Sequence, residues 1–100
     1  MSRREVRFAE GADDDLAWLF EFLVDEDLKA AGRALVAIRR ALTMAAEFPH
    51  SCRRAQGSAF VRECVIPFGR AGYVAAFEIA DDSILVLAVR HQREDDTEPR

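Results

Sequence analysis

The chain has 100 residues and a formal net charge of −4; half of its residues are apolar and 32% are charged. This length and composition predict one globular domain, residues 1–100, with an ordered core over residues 4–93 and a polar tail over residues 94–100. Because nucleic-acid binding depends largely on neutralising phosphates, an acidic chain is a poor candidate for sequence-independent binding, although a local basic patch on the sheet stays open. We also expect no direct sequence-specific binding of nucleic acid.

The amino-terminal segment predicts a strand followed by a helix. Residues 4–9 alternate polar and apolar side chains, which is typical of a strand. Residues 12–26 predict the first helix, and the acidic residues 13–15 would lie at the positive end of its dipole, where carboxylates are stabilising. Its inward stripe consists of apolar residues three and four positions apart, namely Leu16, Leu19, Phe20 and Leu23.

A second helix is predicted over residues 28–47. Asp27 is expected to cap its first turn, and Pro49 cannot continue it. Apolar residues at helical spacing form its inward stripe, namely Ala31, Leu35, Ile38, Leu42 and Ala45. Because the break between the two helices is so short, they are expected to fold back as an antiparallel hairpin.

The rest of the chain predicts three strands. Residues 58–67 alternate between two faces, residues 73–79 are nearly all apolar, and residues 83–91 follow a tight polar turn. The run 73–79 has the composition of a central strand that is covered on both faces. The predicted order β-α-α-β-β-β describes an α+β domain, with the helical hairpin packed on a mostly antiparallel four-stranded sheet.

The cysteines and histidines do not predict a metal site. A structural zinc site usually needs four Cys or His ligands at tight spacings, and only His50 and Cys52 lie close together in the sequence. We therefore expect no metal and no cofactor. Cys64 is expected to be a small core residue and Cys52 a thiol in a loop.

The hydropathy of the chain does not predict a membrane protein. No apolar run reaches the roughly 18 residues that span a bilayer. The amino-terminal residues also lack the apolar stretch of a signal peptide. We therefore expect a cytoplasmic location and no membrane partner.

Trp18 and Phe22 lie one turn apart on the first helix, outside its inward stripe. Burial in the core is the default for aromatic residues at helical spacing. However, a second apolar face on so small a domain indicates a surface that a partner covers.

The ordered series of segments resembles the RelE/ParE toxin superfamily of bacterial toxin–antitoxin systems. The residues that carry the resemblance run from Val6 to Asp96. The matching segments are residues 6–8, 12–16, 46–49, 60–63, 72–77, 81–87 and 90–95. The more specific features within them are Pro49 after the second helix, the pair Arg62-Glu63, the aromatic residues Tyr73 and Phe77, and the terminal His91-x-Arg93. The resemblance implies a toxin that a cognate antitoxin holds inactive in a hetero-oligomer.

Members of this superfamily act in two ways. RelE-like toxins cut mRNA with basic residues on and after the sheet, where cations stabilise the phosphoryl transition state and a titratable group moves protons. ParE-like toxins lack that set and inhibit DNA gyrase by binding it. This chain has Val74 where nucleases often carry a basic residue, and its acidic end has no tyrosine. It therefore resembles the ParE-like branch more closely, with no enzymatic activity expected.

Two groups of candidate residues follow from the resemblance. If the chain were a ribonuclease, its catalytic residues would be Arg62, Arg90, His91 and Arg93. For binding the antitoxin or the target, the candidates are Trp18, Phe22, Arg62, Arg70, Arg90, His91 and Arg93. An inactive interaction protein of the same fold is the third interpretation.

Overall fold

The computed structural model describes residues 4–70 and 72–92. Its elements are, in chain order, β1 (Glu5–Phe8), α1 (Glu10–Glu26), α2 (Leu28–Glu47), a 3₁₀ turn (Pro49–Ser51), β2 (Arg53–Arg54), β3 (Val61–Ile66), β4 (Tyr73–Ile79) and β5 (Ser83–His91). The predicted α+β class is confirmed. Arg93 and the predicted polar tail lie outside the described residues. Within them, no helix is both long and apolar enough to cross a membrane.

The sheet has five strands in the order β1-β5-β4-β3-β2, so the prediction of four strands was wrong. The additional strand, β2, has only two residues and pairs with β3. Two arginines in a polar segment are too short a run to show the alternation of a strand. They form one because they pair with the exposed edge of β3. β1 is parallel to β5, and every other pair of neighbours is antiparallel.

Two predicted boundaries were also wrong. α1 begins at Glu10, two residues earlier than expected, and no side chain caps it. β3 begins at Val61 and not at Ser58, because the Ser58 hydroxyl accepts hydrogen bonds from the backbone N–H groups of Phe60 and Val61 and holds a turn there. The predicted cap at Asp27 is confirmed: its carboxylate accepts from the N–H groups of Lys29 and Ala30.

The hydrophobic core lies between the helical hairpin and one face of the sheet. Leu19 of α1 and Leu42 of α2 pack there against residues of β3, β4 and β5, and Phe77 on β4 is fully buried. Val74 and Ala76 of the same strand alternate with the core residues and point to the other face, yet they are buried as well. β4 is therefore apolar on both faces, as its sequence predicts.

The connection from β3 to β4 depends on Gly72. This residue has φ +112°, and a Cβ atom there would lie 2.2 Å from the carbonyl oxygen of Ile66. Its own carbonyl accepts a hydrogen bond of 2.8 Å from the N–H group of Gln92. Gly72 therefore fixes the end of the sheet at which Tyr73 faces His91.

α1 is joined to the sheet through Asp15. A register shift in the β4–β5 pairing leaves Leu87 without a partner on β4, and β1 has already ended beside Val86. The N–H group of Val89 therefore faces an uncovered edge, and it donates a 2.9 Å hydrogen bond to the Asp15 carboxylate. Asp15 thus supplies the hydrogen-bond acceptor for a backbone N–H group at the edge of β5. Its position in an acidic run did not reveal this role.

We expect the substitution Asp15→Ala to lower the free energy of unfolding by about 1–2 kcal/mol, because the half-buried N–H group of Val89 would lose its acceptor. Urea unfolding measures this effect. Asp14→Ala is the matched control: Asp14 is exposed, lies on the same helical turn and carries the same charge. Equal losses in the two variants would show that the hydrogen bond does not stabilise the fold.

Candidate functional site

The described part of the chain exposes an aromatic pair on α1. The rings of Trp18 and Phe22 are stacked, with centroids 5.7 Å apart and planes 9° from parallel. Their side chains are 60% and 54% exposed. We call these two residues the α1 aromatic patch. Of the two interpretations, burial in the core and a surface that a partner covers, this exposure excludes the first and favours the second.

Acidic residues surround the α1 aromatic patch. Asp14, Glu21 and Asp25 are exposed and lie within one helical turn of Trp18 or Phe22 on the same side of α1. The patch is therefore an apolar surface surrounded by negatively charged carboxylates. These carboxylates would repel an acidic partner.

A second apolar surface lies along α2. Lys29, Arg33, Val36, Arg40 and Met44 follow one another at three- and four-residue spacings, and all are exposed. Together with Phe68 and Val65 they line two adjoining concavities that meet at Arg40. We call this surface the α2 groove. It combines exposed apolar side chains with three cations, in a chain whose net charge is negative.

The two surfaces lie on opposite flanks of the helical hairpin. α1 packs beside β5, to which Asp15 is bonded, whereas the α2 groove is bordered by β3. β4 separates β5 from β3 in the sheet. One compact partner domain could not easily contact both surfaces at once, but an extended segment or two different partners could.

Arg62 is bonded to the backbone of the segment that follows α2. Its Nη1 donates to the carbonyl oxygen of Cys52 at 2.8 Å and to that of His50 at 3.2 Å. This geometry makes Arg62 a hydrogen-bonded anchor. These bonds hold the 3₁₀ turn against β3 and occupy one nitrogen of the guanidinium.

Arg90 belongs to a charge array on the face of the sheet that is opposite the helices. Glu63 accepts from Arg53 at 2.8 Å, and its second oxygen lies 3.9 Å from Arg90. The array crosses above β4 next to Ala76, which lies opposite Glu63 in the strand pairing. It shields the buried residues of β4 on the face that the helical hairpin does not cover.

His91 points to the helical face, because consecutive strand residues alternate. Its ring stands edge-on to Tyr73, at a centroid distance of 5.5 Å and an angle of 86°. Burial raises the pKa of the Tyr73 hydroxyl. This contact gives His91 a packing role at the end of β5.

The described ribonuclease candidates are not brought together. In the register of β4, Arg62 lies opposite Phe77 and His91 opposite Tyr73. Four residues separate these positions, which corresponds to about 13 Å along the strand. Arg90 lies on the other face, and Arg93 is outside the described residues. Arg70 is exposed in the turn before β4, at the end of the sheet where Tyr73 faces His91.

The two thiols lie where the sequence predicts, since Cys64 is buried in the core and Cys52 is half-buried before β2. Among the described residues, no three Cys, His, Asp or Glu side chains are grouped as metal ligands would be.

The α2 groove was not identified from the sequence as a binding surface. The signal was present, because the cations and exposed apolar residues repeat at helical spacing opposite the inward stripe. Phe68 and Val65 could not be placed there, since the contact depends on how the helix lies over β3.

The comparisons with known proteins agree with the resemblance drawn from the sequence. Residues 6–96 match a family model described as the ParE toxin of the type II toxin–antitoxin system parDE. The fold is similar to a solved structure described as the chromosomal ParDE toxin–antitoxin system from P. aeruginosa, with a TM-score of 0.73 and 16% identity. The match covers 89% of this chain and 96% of that one. No curated protein matches the chain.

Proposed function

Because this chain belongs to the ParE toxin family of type II toxin–antitoxin systems, we propose that it inhibits DNA gyrase when free and is neutralised by a cognate antitoxin. It acts by binding in the cytoplasm, without a cofactor, and forms a hetero-oligomer with the antitoxin. The observation that carries this proposal is the exposure of two separate apolar surfaces on the helical hairpin.

The contacts of the cationic residues support binding over RNA cleavage. Arg62 is bonded to two backbone carbonyls, and Arg53 and Arg90 flank one carboxylate. RNA cleavage requires cations and a proton-transfer group around one phosphate. The described members of that candidate set point to different faces or different ends of the sheet.

The α2 groove is the surface that we assign to the antitoxin. Val36 and Met44 are 50% and 61% exposed, so their burial would contribute hydrophobic binding energy. Lys29, Arg33 and Arg40 flank them. The complementary partner is an amphipathic segment that places apolar residues along the groove and acidic residues beside these cations.

The α1 aromatic patch is the surface that we assign to the target. Its acidic surroundings would repel the acidic segment that suits the α2 groove. Exposed, pre-stacked aromatic residues are typical of the few residues that dominate the energy of a protein interface. Trp18 and Phe22 are therefore the side chains expected to contact gyrase.

We expect the double substitution R33E/R40E to raise the dissociation constant for the cognate antitoxin at least about tenfold, because it replaces attraction by repulsion at the α2 groove. Isothermal titration calorimetry at two salt concentrations measures this. The loss should shrink at the higher salt concentration, since exposed charges are screened.

The matched control is R7E/R54E, which makes the same change of charge at exposed residues on β1 and β2. This variant should bind the antitoxin with near-normal affinity. If both double variants lose affinity equally, net charge and not the α2 groove governs binding.

We expect W18A/F22A to raise the concentration of toxin that half-inhibits DNA supercoiling by purified gyrase at least about tenfold, since it removes the α1 aromatic patch. The control is V36A/M44A, which removes two exposed apolar side chains from the α2 groove instead. Thermal unfolding should show that both variants fold, because all four residues are at least half exposed.

The opposite pattern, with V36A/M44A losing gyrase inhibition and W18A/F22A keeping it, would exchange the two assignments. If the unsubstituted chain leaves supercoiling unchanged at concentrations well above that of gyrase, the proposed target is wrong.

A further inference from the structure

The two cysteines face each other across neighbouring strands. β2 pairs with β3 so that Arg53 lies opposite Glu63 and Arg54 opposite Arg62. One step back along this antiparallel register places Cys52 opposite Cys64. The backbone of Cys52 is extended, with φ −83° and ψ 153°, so it continues the line of β2.

The hydrogen bonds show which kind of pair this is. The N–H group of Ala55 donates to the carbonyl of Val61 at 2.8 Å, so these two residues form a hydrogen-bonded pair. Such pairs alternate with non-hydrogen-bonded pairs, which makes Cys52 and Cys64 a non-hydrogen-bonded one. The backbone groups of Cys52 bond elsewhere, its N–H to Pro49 and its carbonyl to Arg62.

This position suits a disulfide. Opposed residues in non-hydrogen-bonded pairs have Cα atoms about 4.5 Å apart, and disulfides span about 4.4–6.8 Å. The two side chains are close enough for each thiol to influence the pKa of the other. A disulfide therefore requires only a rotation of side chains, with no change in the strand register.

The thiols differ in access. Cys52 is half-buried and Cys64 is 9% exposed, and both border the concavity beside Arg40 and Met44. Burial raises the pKa of both thiols, that of Cys64 to about 11. The thiolate fraction is therefore small at neutral pH, and attack by Cys52, the more accessible sulfur, comes first.

We propose that Cys52 and Cys64 are a redox modification site, which forms a reversible disulfide by exchange with a low-molecular-weight disulfide such as oxidised glutathione. The Cys52 thiol loses its proton and attacks one sulfur of the small disulfide, forming a mixed disulfide and releasing one small thiol. The Cys64 thiolate then attacks the Cys52 sulfur and expels the second. Two protein thiols are oxidised and one small disulfide is reduced to two thiols.

The disulfide would close a loop around residues 53–63, which include β2 and the anchor Arg62. A loop of this length constrains the unfolded chain enough to raise the melting temperature by about 10 °C or more. Reduction would reverse the change. The proposal does not depend on the antitoxin or on gyrase, since the purified chain alone is sufficient to test it.

The test is incubation of the purified full chain with oxidised glutathione, followed by intact mass spectrometry and thermal unfolding. We expect a monomer that has lost two hydrogens, with the raised melting temperature returning to its starting value after reduction. The rate should rise about thirtyfold between pH 7.0 and pH 8.5, because both thiols remain mostly protonated over this range.

Single substitutions separate the two steps. C64S should accumulate one glutathione adduct at Cys52, whereas C52S should remain largely unmodified because Cys64 is buried. C64A serves in the same way if the buried hydroxyl of C64S prevents folding. A stable glutathione adduct or a disulfide-linked dimer in the unsubstituted chain, or no change in its mass at pH 8.5, would overturn the proposal.

Discussion

The fold depends on covering both faces of β4 with a short chain. The helical hairpin covers one face, where Phe77 is fully buried, and only side chains of the sheet itself are available on the other. There the array of Arg53, Glu63 and Arg90 lies beside the buried Val74 and Ala76. Covering β4 thus occupies the inward faces of both helices and two arginines of the sheet, Arg53 and Arg90.

This constraint explains why the surfaces available to partners lie on the helices. Each helix buries one stripe against the sheet and leaves its outer side exposed, and on these outer sides lie the α1 aromatic patch and the α2 groove. Arg53, Arg62 and Arg90 of the sheet have partners within the molecule. Lys29, Arg33 and Arg40 of α2 are exposed to solvent. Their different charge environments give the two surfaces different preferences, which is how one small toxin could recognise an antitoxin and a target separately.

Much of this fold could be predicted from the sequence, because helices and long strands have periodic patterns that residues such as Leu19, Leu42 and Phe77 reveal. β2 could not be predicted, since two residues have no period and their pairing depends on a neighbouring edge. The same is true of Asp15, whose hydrogen-bond partner Val89 lies 74 positions away along the chain, next to an irregularity in the strand pairing. The α1 aromatic patch was found because two aromatic residues outside the inward stripe are visible in the sequence itself. The partners of Arg62 could not be predicted either, because they are backbone carbonyls of the turn after α2, and the sequence near Arg62 does not show where that turn lies.

Expression of the chain in a bacterium that lacks the cognate antitoxin tests the proposal that it acts by binding a topoisomerase. Plasmid topology and the integrity of total mRNA are then measured in the same culture. We expect growth arrest with altered supercoiling or cleaved DNA, while the mRNA stays intact. Fragmented mRNA with normal plasmid topology would contradict this account, as would normal growth of cells that accumulate the folded protein.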